Sequence, residues 1–232
     1  MRHLVSAACG LVLGLAGAVQ AQTQPVVVEL YTSQGCSSCP PADDFMAQLA
    51  QDPNVIALSL HVDYWDYIGW KDTFADPQFT KRQKAYARAI GSRTIYTPQM
   101  IVGGADRVEG NDPMKVADSI RRQMMVTSPV TLTVQRQGDR LVIRAVADPP
   151  LKRGARVQVV RYLPEATVEI KRGENAGQAV TYRNIVTDWQ AVADWPGDAP
   201  FELTTDVVGS DRAVVIVQSI GPAEVLAAAH AE

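Results

Sequence analysis

Two cysteines, Cys36 and Cys39, are separated by two serines and followed by two prolines. A pair with this spacing can form a redox couple, a small structural disulfide or two ligands of a metal ion. A disulfide that closes so short a loop removes little entropy from the unfolded chain, so stapling is a weak reason for it. A structural zinc ion needs about four ligands, and beyond residue 21 the chain has no further cysteine and only His61 and His230. We therefore favour redox chemistry and expect no metal site.

The residues around the cysteines predict a strand, the cysteine pair and a helix, in that order. The run from Val26 to Tyr31 is apolar and β-branched, as in a buried strand. Pro40 and Pro41 fit only the first turn of a helix. The N–H groups at a helix N-terminus lack intrahelical partners and favour a thiolate over a thiol. We therefore expect Cys36 to be the exposed nucleophile and Cys39, one turn deeper, to be the resolving thiol.

Residues 1–21 predict an export signal that is cleaved from the mature protein. A positive start at Arg2 precedes a short apolar stretch, and Val19-Gln20-Ala21 has the small or apolar residues of a cleavage site. Cleavage would also remove Cys9. We therefore expect a periplasmic or secreted protein, in a compartment where disulfides form, without stable membrane insertion after cleavage.

The chain of 232 residues has a net charge of −3, and this lack of a basic excess argues against a nucleic acid partner. Strand-like and helix-like patterns alternate up to about residue 127, and strand-like patterns dominate after it. These patterns predict an α/β domain over residues 22–127 and an all-β, sandwich-like domain over residues 128–232. The alanine-rich stretch 223–229 predicts a short terminal helix.

Four motifs together resemble a known family: S-Q-G-C-S-S-C-P-P-A-D, H-V-D-Y-W-D, Y-T-P-Q and R-G-E-N-A-G. They are similar to those of a secreted bacterial thioredoxin-like family, domain-of-unknown-function family 1223, over nearly the whole mature chain. The resemblance implies a thioredoxin-like domain followed by a β-rich domain. From the residues themselves, we expect the Cys36–Cys39 disulfide to be the redox centre, without an organic cofactor. The resemblance also implies a cis peptide bond before Pro98, which would expose the Thr97 backbone for strand-like pairing with a substrate peptide.

Three further side chains could tune the thiols. Glu29 lies on the first predicted strand, near the position of the buried acidic residue of the thioredoxin superfamily. Desolvation there would let Glu29 exchange a proton with Cys39. A carboxylate paired with another group is an equally open alternative for Glu29. His61 and Asp63 follow the second predicted strand and could also tune the thiolate. The aromatic residues after them, 64–70, more often serve packing, and the loop 172–177 is by default a turn that could also contact the cysteine half.

We therefore expect an exported thiol–disulfide oxidoreductase whose partners are protein thiols, protein disulfides or a redox partner protein. No basic residue stands beside the cysteines to stabilise the thiolate further, which favours reduction of partner disulfides over their oxidation. Two alternatives stay open. One is a thioredoxin-like binding module with sluggish cysteines, and the other is a copper-handling protein that uses both thiolates with His61 or Met100.

The mature protein is expected to start near Gln22, because the segment before it has the features of a cleaved export signal. Intact-mass measurement of protein recovered from outside the cytoplasm tests this expectation. Retention of Met1, or a lipid attached to Cys9, would contradict it.

Overall fold

The computed structural model describes residues 24–231, so the predicted export signal, residues 1–21, lies outside the described residues. These residues form β1 (Val26–Thr32), α1 (Pro40–Leu49), β2 (Val55–His61), a 3-10 helix (Asp66–Ile68), α2 (Pro77–Ala89), β3 (Gln99–Val102), β4 (Asp106–Glu109), α3 (Pro113–Met124), β5 (Val130–Gln137), β6 (Arg140–Ala147), β7 (Ala155–Glu169), β8 (Ala179–Trp195), β9 (Phe201–Asp206), β10 (Arg212–Ser219) and β11 (Val225–His230). No helix within residues 24–231 has the length and apolar character needed to cross a bilayer.

Eight strands form one mixed sheet in the order β11-β10-β7-β8-β2-β1-β3-β4. The central strand β1 pairs in parallel with β2 and antiparallel with β3. Consecutive residues of a strand point to opposite faces of the sheet. Val28 and Leu30 accordingly pack with Met46 of α1, whereas Tyr31 packs with Phe79 of α2. Helices α1 and α3 therefore cover one face of this region and α2 covers the other.

Strand β8 joins the two segments of the chain, because it lies alongside β2 in parallel with Ile185 opposite Ser59. The Ser59 hydroxyl donates a hydrogen bond of 2.8 Å to the carbonyl oxygen of Arg183. In return, the Asn184 side-chain amide donates one of 2.9 Å to the carbonyl oxygen of Ala57. Strands from before and after residue 128 therefore share one continuous sheet.

A second, three-stranded antiparallel sheet in the order β5-β6-β9 packs against the β7, β10 and β11 part of the large sheet. Leu141 and Ile143 of this small sheet share a buried cluster with Val157 of β7 and Val215 of β10. The segment after residue 128 thus contributes both layers of this cluster. The protein is mixed α/β, with one large sheet and one small antiparallel sheet.

The prediction of a terminal helix over residues 223–229 is wrong, since Val225–His230 forms the edge strand β11. Ala227 and Ala228 are buried and pair with Val217 and Ile216 of β10. Alanine has the highest intrinsic helix propensity, but tertiary pairing with a sheet overrides so small a preference.

A buried ion pair between Glu29 of β1 and Arg82 of α2 lies beneath the large sheet, on the α2 side. The guanidinium donates two hydrogen bonds of 2.7 Å, one to each carboxylate oxygen. The hydroxyl groups of Tyr31 and Tyr86 donate to the same carboxylate at 2.8 and 2.7 Å. The guanidinium carbon also lies 3.8 Å from the centre of the Trp189 ring of β8. The pair therefore ties the cysteine-bearing segment to the strands that follow residue 128.

Replacing Arg82 with methionine should lower the free energy of unfolding by about 3–5 kcal/mol, because Glu29 would stay buried without its counter-charge. Chemical denaturation of the two proteins measures this loss. Arg88→Met is the matched control, since Arg88 is an exposed arginine on the same helix. Equal stability of the Arg82 and Arg88 variants would contradict the structural role of the pair.

Candidate functional site

The cysteine pair lies between the end of β1 and the start of α1. Cys36 and Cys39 form a disulfide with an S–S distance of 2.09 Å and a Cα–Cα distance of 5.4 Å. The backbone N–H of Cys39 donates to the carbonyl oxygen of Cys36 at 3.2 Å, which closes a tight turn. Ser37 and Ser38, at the tip of this turn, are exposed.

The expectation that Cys36 is exposed is wrong for the disulfide-bonded protein, since Cys36 is 1% exposed and Cys39 is 0% exposed. One side of the loop is closed by the segment at the 3-10 helix. A Cβ atom added at Gly35 would lie 3.2 Å from Cβ of Trp65 and 3.3 Å from Cδ1 of Ile68. Glycine at position 35 therefore permits this close approach, and no larger residue fits without displacing its neighbours.

The loop 172–177 between β7 and β8 closes the cysteine loop from another side. The buried side chain of Asn175 donates hydrogen bonds of 2.9 Å to the carbonyl oxygen of Gln34 and 3.0 Å to that of Cys36. A Cβ atom added at Gly173 would lie 3.2 Å from Cβ of Trp70. The R-G-E-N-A-G motif is thus more than a turn, because it holds the backbone of the cysteine loop.

Gln34 links the cysteine loop to the segment that follows β2. Its backbone N–H donates to Asp72 Oδ2 at 2.8 Å. Its side-chain oxygen accepts a 2.8 Å hydrogen bond from the indole of Trp70, and its side-chain amide donates to Thr73 at 3.0 Å. Trp70 also packs against the buried cluster around Tyr182 of β8. The aromatic segment 64–70 therefore packs the two segments together and also positions the loop.

His61, at the end of β2, is fully buried and bonded to Asp72, with 2.7 Å between His61 Nδ1 and Asp72 Oδ2. Because a carboxylate only accepts, Nδ1 carries the shared proton. Burial raises the pKa of Asp72. The His61 charge and the hydrogen bonds from His61, Gln34 and Phe74 together lower it by more, so the pKa of Asp72 is below its usual value. The His61 ring also lies edge-on to the rings of Phe74 and Tyr182.

Asp43 of α1 is a buried carboxylate that the sequence analysis did not single out. It is 2% exposed, and its Oδ1 accepts a 2.8 Å hydrogen bond from the Thr32 hydroxyl. Burial raises the pKa of Asp43 to about 7, although the His61 charge and the Thr32 hydrogen bond act in the opposite direction. Among the described residues, Asp43 Oδ2 and His61 Nε2 are buried without a hydrogen-bond partner. A signal was present in the sequence, because a residue four positions after Cys39 lies on the same side of a helix.

The structure does not bring Glu29 or Asp63 to the disulfide. Glu29 faces α2, opposite the side where Val28 and Leu30 meet α1, and it is fully engaged by Arg82 and two tyrosines. Asp63 accepts a hydrogen bond from the Thr80 hydroxyl of α2. Of the three side chains expected to tune the thiols, His61 alone belongs to the network that holds the cysteine loop.

The Thr97–Pro98 peptide bond is cis, and it lies beside α1. The Trp65 indole donates a 2.7 Å hydrogen bond to the Thr97 hydroxyl. A Cβ atom added at Gly110 would lie 2.9 Å from Cβ of Pro98 and 3.1 Å from Cβ of Ala42. The two residues expected to bind substrate are therefore close to the helix that begins directly after Cys39.

Two surface clefts lie away from the disulfide. A cleft of about 470 Å³ is lined by Gln51, Arg136 and His230, among others, and borders the C-terminal end of α1. A second, of about 280 Å³, contains Arg82 and Trp189 on the α2 face. Within residues 24–231 no group of three or more His, Cys, Asp or Glu side chains could hold a metal ion.

Comparison with known proteins places the chain beside uncharacterised relatives. The family model described as "Protein of unknown function (DUF1223)" matches residues 27–218. A crystal structure of a protein from Agrobacterium tumefaciens is 33% identical, with a TM-score of 0.77 over 89% of this chain and 93% of that one. HBP35 of Porphyromonas gingivalis has a TM-score of 0.67 at 13% identity, over 90% of this chain and 74% of that one, which shows a shared fold alone. No curated protein matches the sequence.

Replacing Asn175 with alanine should loosen the cysteine loop, because the buried carbonyl oxygen of Gln34 would lose its donor. An unsatisfied buried group costs about 1–3 kcal/mol, and each 1.4 kcal/mol corresponds to about a tenfold change in the population of the opened loop. The rate at which dithiothreitol reduces the disulfide should therefore rise. Asn111→Ala is the control, since exposed Asn111 donates to the Ser38 carbonyl from outside the loop. Equal reduction rates in both variants would contradict the role of Asn175.

Proposed function

The chain belongs to the DUF1223 family, and we propose that it is an exported thiol–disulfide oxidoreductase that reduces or exchanges disulfides in partner proteins. The observation that carries this proposal is the disulfide between Cys36 and Cys39 directly before α1. The free N–H groups of a helix N-terminus favour a thiolate there once the disulfide is reduced. Such a thiolate is both a nucleophile and a good leaving group.

We also propose that residues 22–127 form a thioredoxin-like unit followed by a β-rich unit over residues 128–232. The strand order β2-β1-β3-β4, with α1 and α3 on one face and α2 on the other, supports this arrangement. The position of Pro98 supports it too, because Pro98 and Ala42 of α1 both lie next to Gly110. In this unit the Thr97 backbone would pair with an extended substrate peptide.

The reaction proceeds through a mixed disulfide. The Cys36 thiolate attacks one sulfur of a partner disulfide, the partner S–S bond breaks, and the second partner sulfur leaves as a thiolate. Cys39 then attacks the Cys36 sulfur, which re-forms the intramolecular disulfide and releases the first partner sulfur. Two electrons pass from the Cys36 and Cys39 sulfurs to the partner, and no organic cofactor is needed.

The charges around the pair favour reduction of the partner over its oxidation. The chain has no lysine, arginine or histidine between residues 26 and 51, and the first turn of α1 carries Asp43. A thiolate with little extra stabilisation belongs to a reducing couple. We therefore expect the reduction potential of the couple to lie nearer about −270 mV, as in thioredoxin, than about −120 mV, as in the strong oxidant DsbA.

The enclosure of Cys36 supports a second candidate, a binding module whose disulfide is structurally retained and slow to react. A cysteine residue that is 1% exposed is poorly placed to meet a partner while the loop stays closed. Alkylation of the reduced protein separates the two candidates. In an oxidoreductase, one cysteine would be alkylated rapidly at pH values well below about 8.5, the ordinary pKa of a cysteine thiol. In a binding module, neither cysteine would.

The assignment of roles predicts different trapping by two single-cysteine variants. Cys39→Ser should accumulate mixed disulfides between Cys36 and partner proteins, because the resolving thiol is absent. Cys36→Ser should accumulate few, because Cys39, the N-cap residue of α1, is assigned to attack the Cys36 sulfur and not a partner. Non-reducing electrophoresis followed by mass spectrometry of the linked peptides measures both. Equal trapping by the two variants would contradict the roles assigned to the cysteines.

A further inference from the structure

We propose that Asp43 is the proton acceptor that activates Cys39 for resolution of the mixed disulfide, and that His61 tunes Asp43. This inference rests on the proposed function, because it assigns a role within the same reaction. Glu29, for which the sequence left proton exchange with Cys39 and an ion pair equally open, is paired with Arg82 and does not fill this role.

Asp43 follows Cys39 by one turn of α1. The backbone N–H of Asp43 donates to the carbonyl oxygen of Cys39 at 3.1 Å, so the two residues are one helical turn apart. Residues four apart are neighbours on a helix surface, and helical side chains lean toward the N-terminus. The Asp43 carboxyl group therefore leans back over the turn that holds Cys39.

Asp43 is buried, with only 2% of the residue exposed. Its carboxyl group receives one hydrogen bond, from Thr32, and its Oδ2 has no partner among the described residues. A buried polar atom without a partner is costly, so it calls for an explanation. A carboxyl group that must take up and release a proton explains it, and the burial that raises its pKa to about 7 makes both states accessible near neutral pH.

The groups around Asp43 set its proton affinity. The Thr32 hydroxyl of β1 donates to Asp43, and His61 lies directly opposite Thr32 on β2. From this position the His61 charge lowers the pKa of Asp43. Asp72, between β2 and α2, and Asp44, on α1, exert like charges that raise it. Tyr182 of β8 is electrostatically coupled to Asp43 as well. His61 thus opposes the effect of burial, and Asp72 fixes the orientation of the His61 ring through Nδ1.

Asp43 would act when Cys39 attacks the mixed disulfide at Cys36. In the mixed disulfide, the Asp43 carboxylate takes the proton of the Cys39 thiol while the Cys39 sulfur attacks the Cys36 sulfur. The Cys36–Cys39 bond forms, the bond between Cys36 and the partner breaks, and the partner sulfur leaves as a thiolate. The Asp43 carboxylic acid then gives this proton to the partner thiolate, and the partner is released as a thiol.

Single-turnover kinetics of Asp43→Asn test the proposal. Reduced protein is mixed with glutathione disulfide, quenched with acid at successive times, and the mixed disulfide at Cys36 is measured by mass spectrometry. General-base catalysis contributes at least about 100-fold, so at pH 7 the variant should resolve its mixed disulfide about 100-fold more slowly. Its rate of attack by Cys36 should stay within a few-fold of wild type. The deficit should shrink as the pH approaches the range in which Cys39 ionises unaided.

Asp118→Asn is the control, because it removes a carboxylate from an exposed position on α3, outside the groups around Asp43. It should resolve the mixed disulfide at the wild-type rate. His61→Gln should still resolve the mixed disulfide, but the pH dependence of that rate should shift, since His61 acts through Asp43. Wild-type resolution by Asp43→Asn, with an unchanged pH profile, would overturn the proposal.

A measurement on the intact residue decides the matter if Asp43→Asn does not fold. The carboxyl carbon of Asp43 is titrated by NMR in the reduced wild type and in the reduced Cys39→Ser variant. Two interacting groups titrate as a pair, so the Asp43 curve of the wild type should contain a step that the variant lacks. Identical curves would overturn the proposal. Absence of any mixed disulfide in the wild type would instead overturn the proposed function, while the titration still tests the coupling.

Discussion

The buried ion pair between Glu29 and Arg82 constrains the arrangement of the elements on the α2 face of the large sheet. A carboxylate on the central strand can stay buried only if donors surround it, and the cation beside it must be shielded as well. Arg82 comes from α2, and the guanidinium is covered by Trp189 of β8. Gln218 of β10 accepts a further hydrogen bond from it at 3.1 Å. The charge on β1 therefore fixes α2, β8 and β10 relative to one another, and the small sheet packs on what they form.

Glu29 and Asp43 are buried carboxylates on opposite faces of this sheet, and their hydrogen-bond partners differ. Glu29 has both oxygens bonded to the Arg82 guanidinium, so changing its protonation state would disrupt the packing. Asp43 has one bonded oxygen and lies on the α1 face, with the imidazole of His61 as a nearby charge. A group whose proton can leave without loss of a counter-ion suits chemistry, whereas a group locked in an ion pair suits stability. The sheet separates these two tasks onto its two faces.

The sequence was sufficient for what depends on local pattern. The strand before Cys36, the helix opened by Pro40 and the alternation of elements up to residue 127 all follow from periodicity and proline placement. Contacts distant in the sequence do not follow from local pattern, although a contact of the loop 172–177 with the cysteine half was one open alternative. Glu29 meets Arg82 53 residues later, and Cys36 is held by Asn175 139 residues later. The terminal alanines likewise became a strand through pairing with β10, a tertiary effect that local propensity cannot express.

The parallel contact between β2 and β8 bears on how far the chain can be divided. A fragment that ends at residue 127 would leave β2 as an open edge of buried, apolar residues, and such an edge is a template for association with other chains. It would also uncover Tyr31 and Phe79, which share a cluster with Val160, Val186 and Val214. A fragment that keeps the large sheet intact must therefore include both β2 and β8, which lie on either side of residue 128.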